Sequence, residues 1–120
     1  MPSDTLQYST QQCAHRLSAT EDAIYVLGGR WTLRVMIATL GGHTRFNDIQ
    51  RSVKGISAKV LSNELKKLEE NLLVKRTVFA EDIPVVIEYR PTEYSRSLKG
   101  VINALSDWGA SHKKHITGKD

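Results

Sequence analysis

Two short helices joined by a tight turn, then an alternating strand pair, predict a mainly α fold with a small β wing: a winged helix-turn-helix carrying a long C-terminal dimerisation helix. Three observations carry that expectation. Phe46, Ile49 and Val53 recur at helical spacing just before Lys54-Gly55-Ile56, which reads as the turn. Leu61, Leu65, Leu68 and Leu72 form a second, narrow helical stripe after Ser57. The whole net charge of +4 lies in residues 43–80, where eight Lys and Arg face four Asp and Glu; residues 1–42 balance three against three, and residues 81–120 six against six. A basic patch confined to one segment is the electrostatic footprint of a nucleic-acid-binding surface.

The elements follow in order. Residues 1–12, rich in Ser, Thr and Gln and without apolar periodicity, read as flexible. A single domain is expected over residues 17–116, between tails at 1–16 and 117–120. Thr20, followed by Glu21 and Asp22, suits the start of a first helix over about 20–28. Ala23, Ile24 and Leu27 give that helix an apolar side, and Gly28-Gly29 ends it. A second helix over 30–40 carries Trp31, Leu33, Val35, Met36, Ile37 and Leu40 almost all round, which predicts burial on more than one side. Thr44 is the expected cap of the Phe46 helix and Ser57 that of the recognition helix, about 57–71. Residues 74–80 and 85–90 alternate β-rich side chains around Glu81-Asp82-Ile83-Pro84, a hairpin with a loose tip.

Thr92 then caps a last helix over 93–115, where Leu98, Val101, Ile102, Leu105, Trp108 and His112 recur at near-heptad spacing. So small a domain cannot bury both this stripe and the Trp31 helix. A second copy of the chain is the simplest cover, so a homodimer is expected, with Ile24, Leu27, Trp31, Leu98, Val101, Ile102, Leu105 and Trp108 in its interface.

Composition bounds the function. Hydrophobic residues make up 40% and charged residues 25%, as in ordinary globular proteins. No run approaches the roughly 18–20 apolar residues of a membrane span, and residues 1–12 lack the apolar core of a signal peptide. A cytoplasmic protein with no membrane partner is expected. The single Cys13 excludes an internal disulfide framework and any multi-cysteine zinc site. His112 and His115 are one helical i, i+3 pair without a third ligand at metal-binding spacing, so no metal is expected. No nucleophile elbow, P-loop or dinucleotide fingerprint occurs, so neither an enzyme nor a cofactor is expected.

A set of short stretches then carries a resemblance. They are Gly28-Gly29-Arg30-Trp31, Thr44-Arg45-Phe46-Asn47-Asp48-Ile49, Gly55-Ile56-Ser57, Leu61-Ser62-Asn63-Glu64-Leu65-Lys66-Lys67-Leu68-Glu69, Leu73-Val74-Lys75-Arg76, Val86-Ile87-Glu88-Tyr89 and Leu105-Ser106-Asp107-Trp108-Gly109. In this order and spacing the chain resembles the HxlR-type bacterial transcription regulators, a winged helix-turn-helix family related to the MarR type. The resemblance implies a dimer paired mainly through its first and last helices and bound to operator DNA. Four positions depart from it. Leu72 stands where the family commonly has Gly before the first wing strand, and Asn71 is the residue suited to a left-handed turn instead. Pro91 interrupts the usual Tyr-x-Leu-Thr, and Ser95 replaces a frequent Gly. Val85-Val86 stands where many members carry a basic residue.

Within this frame the DNA contacts are assigned by chemistry. The first turns of a recognition helix read base edges in the major groove while flanking cations hold phosphate. Asn63 is shaped for bidentate pairing with adenine; Lys59 and Lys66 reach guanine O6 and N7 or phosphate; Ser57 and Ser62 bond either, and Lys67 flanks them. Arg45 is the best contact outside that helix, with Lys75 and Arg76, and beyond them Arg51 and Lys54, as secondary phosphate candidates. Glu81 and Asp82 at the hairpin tip make the wing a poor minor-groove reader. The expected target is double-stranded DNA with pseudo-palindromic half-sites about 10 bp apart or a multiple of it.

Two further readings stay open. Some members of the resembling family sense quinones, aldehydes or oxidants through an N-terminal cysteine, whose matching position here is Ser18. Cys13, beside His15 and Arg16, is the candidate redox sensor of this chain. An unidentified small molecule, bound between the last helix and the Trp31 helix, is the other candidate effector. From a different class comes a winged helix used as a protein-interaction module, favoured by the acidic tip and opposed by the clustered positive charge.

Overall fold

The computed structural model describes residues 7–118. Its first helix, α1, runs Thr10–Leu27 and starts ten residues before the expected Thr20. The cause is a capping box: Ser9 Oγ accepts from the Gln12 amide at 3.1 Å, and the Ser9 amide donates to Gln12 Oε1 at 2.8 Å. Residues 10–16 of the expected tail are therefore helical, and residues 1–6 lie outside the described residues. Helix α1 buries none of its residues fully; only Val26 and Leu27, at its end, pack against the core.

Helix α2 (Thr32–Leu40) buries Thr32, Val35, Met36, Ala38 and Thr39, but Ile37 stays 48% exposed. Its fully buried residues thus cover about half its circumference, with Trp31, Leu33 and Leu40 half-buried at the margins. Helix α3 (Phe46–Ser52) is preceded by Arg45, which makes no side-chain cap bond. Thr44 does not cap it as expected; its carbonyl instead accepts from the Tyr89 amide at 2.7 Å and ties the second wing strand to the helix-turn-helix. The turn passes through Gly55 at φ +88°, a left-handed conformation that favours glycine. Helix α4 (Ala58–Glu70) begins at Ser57, whose hydroxyl accepts from the Val60 amide at 3.1 Å, as read from the sequence.

Leu61, Leu65 and Leu68 of α4 are buried, but the stripe does not extend to Leu72. The helix closes at Glu70 in a Schellman motif: the Leu73 amide donates to the Leu68 carbonyl at 2.9 Å and the Leu72 amide to that of Glu69 at 3.0 Å. The left-handed residue of this motif is Leu72, at φ 63°, while Asn71 has φ −89°. The expectation for Asn71 is corrected by register. Leu73 takes the core position, and the residue before it must then turn outward, 69% exposed.

Strands β1 (Val74–Phe79) and β2 (Val86–Pro91) pair antiparallel, from Val74 opposite Pro91 to Phe79 opposite Val86. Pro91, without an amide hydrogen, sits at the end of the ribbon, where a missing donor costs least. Thr92 accepts from the Ser95 amide at 3.1 Å and so caps a 3₁₀ turn (Tyr94–Ser97), after which α5 runs Leu98–Thr117. Ser95 is fully buried and donates its hydroxyl to the Thr92 carbonyl at 2.6 Å, a structural use of that departure.

One core results. Val35, Met36 and Ala38 of α2, Ile49 of α3, Val53 and Ile56 of the turn, the three α4 leucines, Leu73 and Val74 form it. Helix α5 contributes no fully buried residue. The radius of gyration is 18.0 Å, against about 14 Å for a compact domain of this length, because α1 and α5 extend beyond the core they leave.

Candidate nucleic-acid interface

The leucine stripe decides which way α4 faces. With Leu61, Leu65 and Leu68 turned into the core, a 100° step per residue sends Lys59, Asn63 and Lys66 to the opposite side, and all three are exposed. Ser57 and Ser62 are exposed beside them. None of Lys59, Ser62, Asn63 and Lys66 spends its side chain on another described residue. This face therefore offers a shape-defined amide, two cations and a hydroxyl to solvent. Such a set can donate to phosphate oxygens and to the acceptors of base edges.

Lys67 is placed differently. Its Nζ lies 3.8 Å from Glu64 Oε2 and near Gly29, so it leans toward the start of α2. Arg45 is exposed at the head of α3, above a hollow of about 350 Å³ that Asn47, Arg51 and residues 84–87 of the wing also line. Asn47 is the polar residue that sequence reasoning passed over. Being uncharged, it added nothing to the charge pattern, and its exposure depends on how α3 docks. Arg51 is held by Asp48, which offsets its charge. Lys54 is exposed in the turn.

On the wing, Lys75 faces Arg90 across the ribbon and Arg76 faces Tyr89. Successive strand residues point to opposite faces, so Lys75 and Arg76 cannot follow the same stretch of phosphates. Arg90 is bonded to Glu88 through its Nε at 2.7 Å. At the tip, Ile83 is 99% exposed between the acidic pair and Pro84. The structure thus brings the α4 candidates onto one face, adds Arg45 and Asn47 from α3, and leaves Lys67 aside.

The eight residues expected in a dimer interface divide in two. Leu27, Trp31 and Leu98 pack against the core of their own chain, and Ile102 is half-buried beside Ile37 and Leu40 in a shallow hollow between α2 and α5. Trp31 lies under Arg30 and Arg34, whose guanidinium carbons are 5.0 and 5.2 Å from its ring centre. Ile24, Val101, Leu105 and Trp108 remain exposed, as do Leu17, Tyr25 and Ile116 on the same two helices. Trp108 stacks on His112 at 4.8 Å. Cys13 is exposed on α1. Among the described residues no group of three His, Cys, Asp or Glu gathers that could hold a metal ion, and no helix is long and apolar enough to cross a membrane.

Comparison with known proteins places this geometry. The HTH-type transcriptional regulator YtcD of Bacillus subtilis is 31% identical over 100 residues, covering 83% of this chain and 79% of the relative. The crystal structure of a YtcD regulator superposes with a TM-score of 0.74 at 32% identity, over 79% of this chain and 96% of that one. YodB, an HTH-type transcriptional regulator from the same species, is 35% identical over 88 residues, covering 73% of this chain and 78% of the relative. Its structure has been solved reduced, diamide-treated and quinone-bound, the last with a TM-score of 0.66 at 32% identity over 78% of this chain and 98% of that one. The redox regulator HypR, in its reduced form, superposes with a TM-score of 0.75 at 28% identity, over 83% of this chain and 98% of that one. The family model for the HxlR-like helix-turn-helix matches residues 26–117, from the end of α1 to the end of α5, so this winged helix-turn-helix chain belongs to the HxlR-like family.

Proposed function

We propose that the chain is a cytoplasmic transcriptional regulator that binds a pseudo-palindromic operator as a homodimer, with α4 in the major groove. The observation that carries this reading is the exposed face of α4, where Lys59, Asn63 and Lys66 stand together without side-chain partners among the described residues. Membership in a family of helix-turn-helix regulators supports it.

The dimer rests on surface. The chain exposes 9237 Å², against about 6500 Å² for a compact monomer of this size. Much of the apolar part of that excess runs along α1 and α5, which bury nothing fully within their own chain. A two-fold axis through these helices repeats α4 at a fixed spacing, which is what a pseudo-palindrome matches.

The test is selection of duplexes from a randomised library, followed by titration at about 50 and 200 mM salt. A selected duplex should bind at least about a thousandfold more tightly than random sequence. Feeble, sequence-independent binding at both salt concentrations would favour the interaction module instead.

A second reading concerns control. Cys13 is the chain's sole thiol and is exposed on α1, and YodB has been captured in diamide-treated and quinone-bound forms. Oxidation or alkylation of Cys13 would then act on the helix proposed to pair the two chains.

A further inference from the structure

Helix α4 carries one acidic side chain turned toward its own domain. Glu64 is 14% exposed, and its Oε1 accepts from Thr32 Oγ1 at 2.7 Å, Thr32 being fully buried. Its other oxygen lies 3.8 Å from Lys67 Nζ. Thr32 opens α2, and the residue before it, Trp31, supplies no side-chain cap. The carboxylate therefore stands at an otherwise uncapped helix start, where the aligned peptide dipoles favour negative charge. Two neighbouring approaches reinforce the link. Lys67 Nζ is near Gly29, and the Trp31 ring lies against Gly55 in the turn of the helix-turn-helix.

The leucine stripe sets which side of α4 faces the core but leaves the last few degrees of its roll open. Apolar burial is proportional to area and has no direction, so Leu61, Leu65 and Leu68 tolerate small rotations and slides. The hydrogen bond to Thr32 is directional and loses strength quickly as it bends. Glu64 adjoins Asn63 in the chain and stands two residues before Lys66, so holding it sets where both of those point. We propose that Glu64 is a positioning residue: anchored on Thr32, it sets the roll of the recognition helix and thereby the sequence specificity of DNA binding. The proposal deepens the operator-binding reading and rests on it.

The variants are Glu64→Ala, Thr32→Val, the two combined, and Glu64→Gln, which keeps an acceptor oxygen. The probes are the duplex that the wild-type protein selects from a randomised library and a random duplex, with thermal unfolding measured alongside. Glu64→Ala and Thr32→Val should each narrow the selected-to-random affinity ratio by about ten- to a hundredfold, roughly the discrimination that one well-aimed base contact supplies. Affinity for random DNA and its salt slope should stay as in the wild type. The double variant should be no worse than the poorer single one, and Glu64→Gln should restore most of the ratio. Thr32→Val leaves the carboxylate in place and carries the comparison where Glu64→Ala does not fold. A lowered melting temperature with the ratio intact would mean a merely structural contact and overturn the proposal, as would additive losses. A wild-type protein that selects no sequence would instead bring down the operator reading and this one with it.

Discussion

Thr92 Oγ1 donates to the carbonyl of Leu72 at 2.7 Å, so the residue that leaves the wing holds the residue that leads into it. The Thr92 amide adds a bond to the Leu73 carbonyl at 3.1 Å. Between them they pin the one non-glycine residue with positive φ among those described. A leucine there pays about 1–2 kcal/mol for its left-handed backbone, and its exposed side chain recovers little by burial. Leu72→Gly should therefore stabilise the domain by about 0.5–1 kcal/mol net of the larger chain entropy of glycine, raising the melting temperature by roughly 2–5 °C. Thermal unfolding by circular dichroism checks this, and a fall in the melting temperature would mean that Leu72 contributes apolar contacts worth more than the strain.

That turn also shows what the sequence could convey. Continuing the spacing of Leu61, Leu65 and Leu68 to Leu72 is sound only while the helix continues, and the helix ends two residues earlier. Periodicity carries no mark of where a Schellman motif will place its left-handed residue. The start of α1 was hidden for the opposite reason. The first half of α1, residues 10–19, holds few large apolar residues and so no legible stripe, and the Ser9 and Gln12 capping box is its remaining signal. The helix-turn-helix, the wing and the Ser57 cap were legible because each has a local cause in spacing or capping. Nothing in the sequence separates Lys67 from the exposed lysines, because Glu64's inward turn toward Thr32 depends on how α2 crosses α4.

Asn63 and Lys66 occupy one face but should fail in different ways. An amide that pairs with adenine carries sequence information, so Asn63→Ala should cost about 1–3 kcal/mol on the selected duplex and little on random DNA. A lysine on phosphate carries charge alone. Lys66→Ala should weaken both duplexes alike and reduce the slope of log affinity against log salt by about one. Equal losses on both duplexes for Asn63→Ala would remove its base-reading role.

Leu105 and Trp108 are 52% and 66% exposed on α5, one turn apart. Charge placed there should be harmless to a monomer and costly to a pairing seam. Leu105→Glu should cost about 2 kcal/mol or more of dimer affinity, roughly a thirtyfold rise in dissociation constant. Sedimentation should show the wild type at twice the chain mass and the variant shifting toward one. Ile83→Glu, at the wing tip and off both helices, is the control and should leave the mass unchanged. A wild type that sediments as a single chain at all concentrations would end the dimer reading.

Cys13 offers a chemical test of the proposed seam. Diamide takes two electrons from two thiols and leaves a disulfide, and this chain has one cysteine. Its disulfide partner must therefore be another molecule, either the second Cys13 of the proposed dimer or a small thiol such as glutathione. Pairing of the two Cys13 residues requires their Cα atoms to come within about 7 Å, which the exposed position of Cys13 on α1 permits if the first helices cross near it. Treated wild type should then run at twice the chain mass on a non-reducing gel, lose affinity for the selected duplex, and recover both on addition of dithiothreitol. Cys13→Ser should bind DNA like the untreated wild type and ignore diamide. A doubled mass with unaltered DNA binding would separate the disulfide from control, and equal loss of binding in both proteins would place the oxidant's target elsewhere than Cys13.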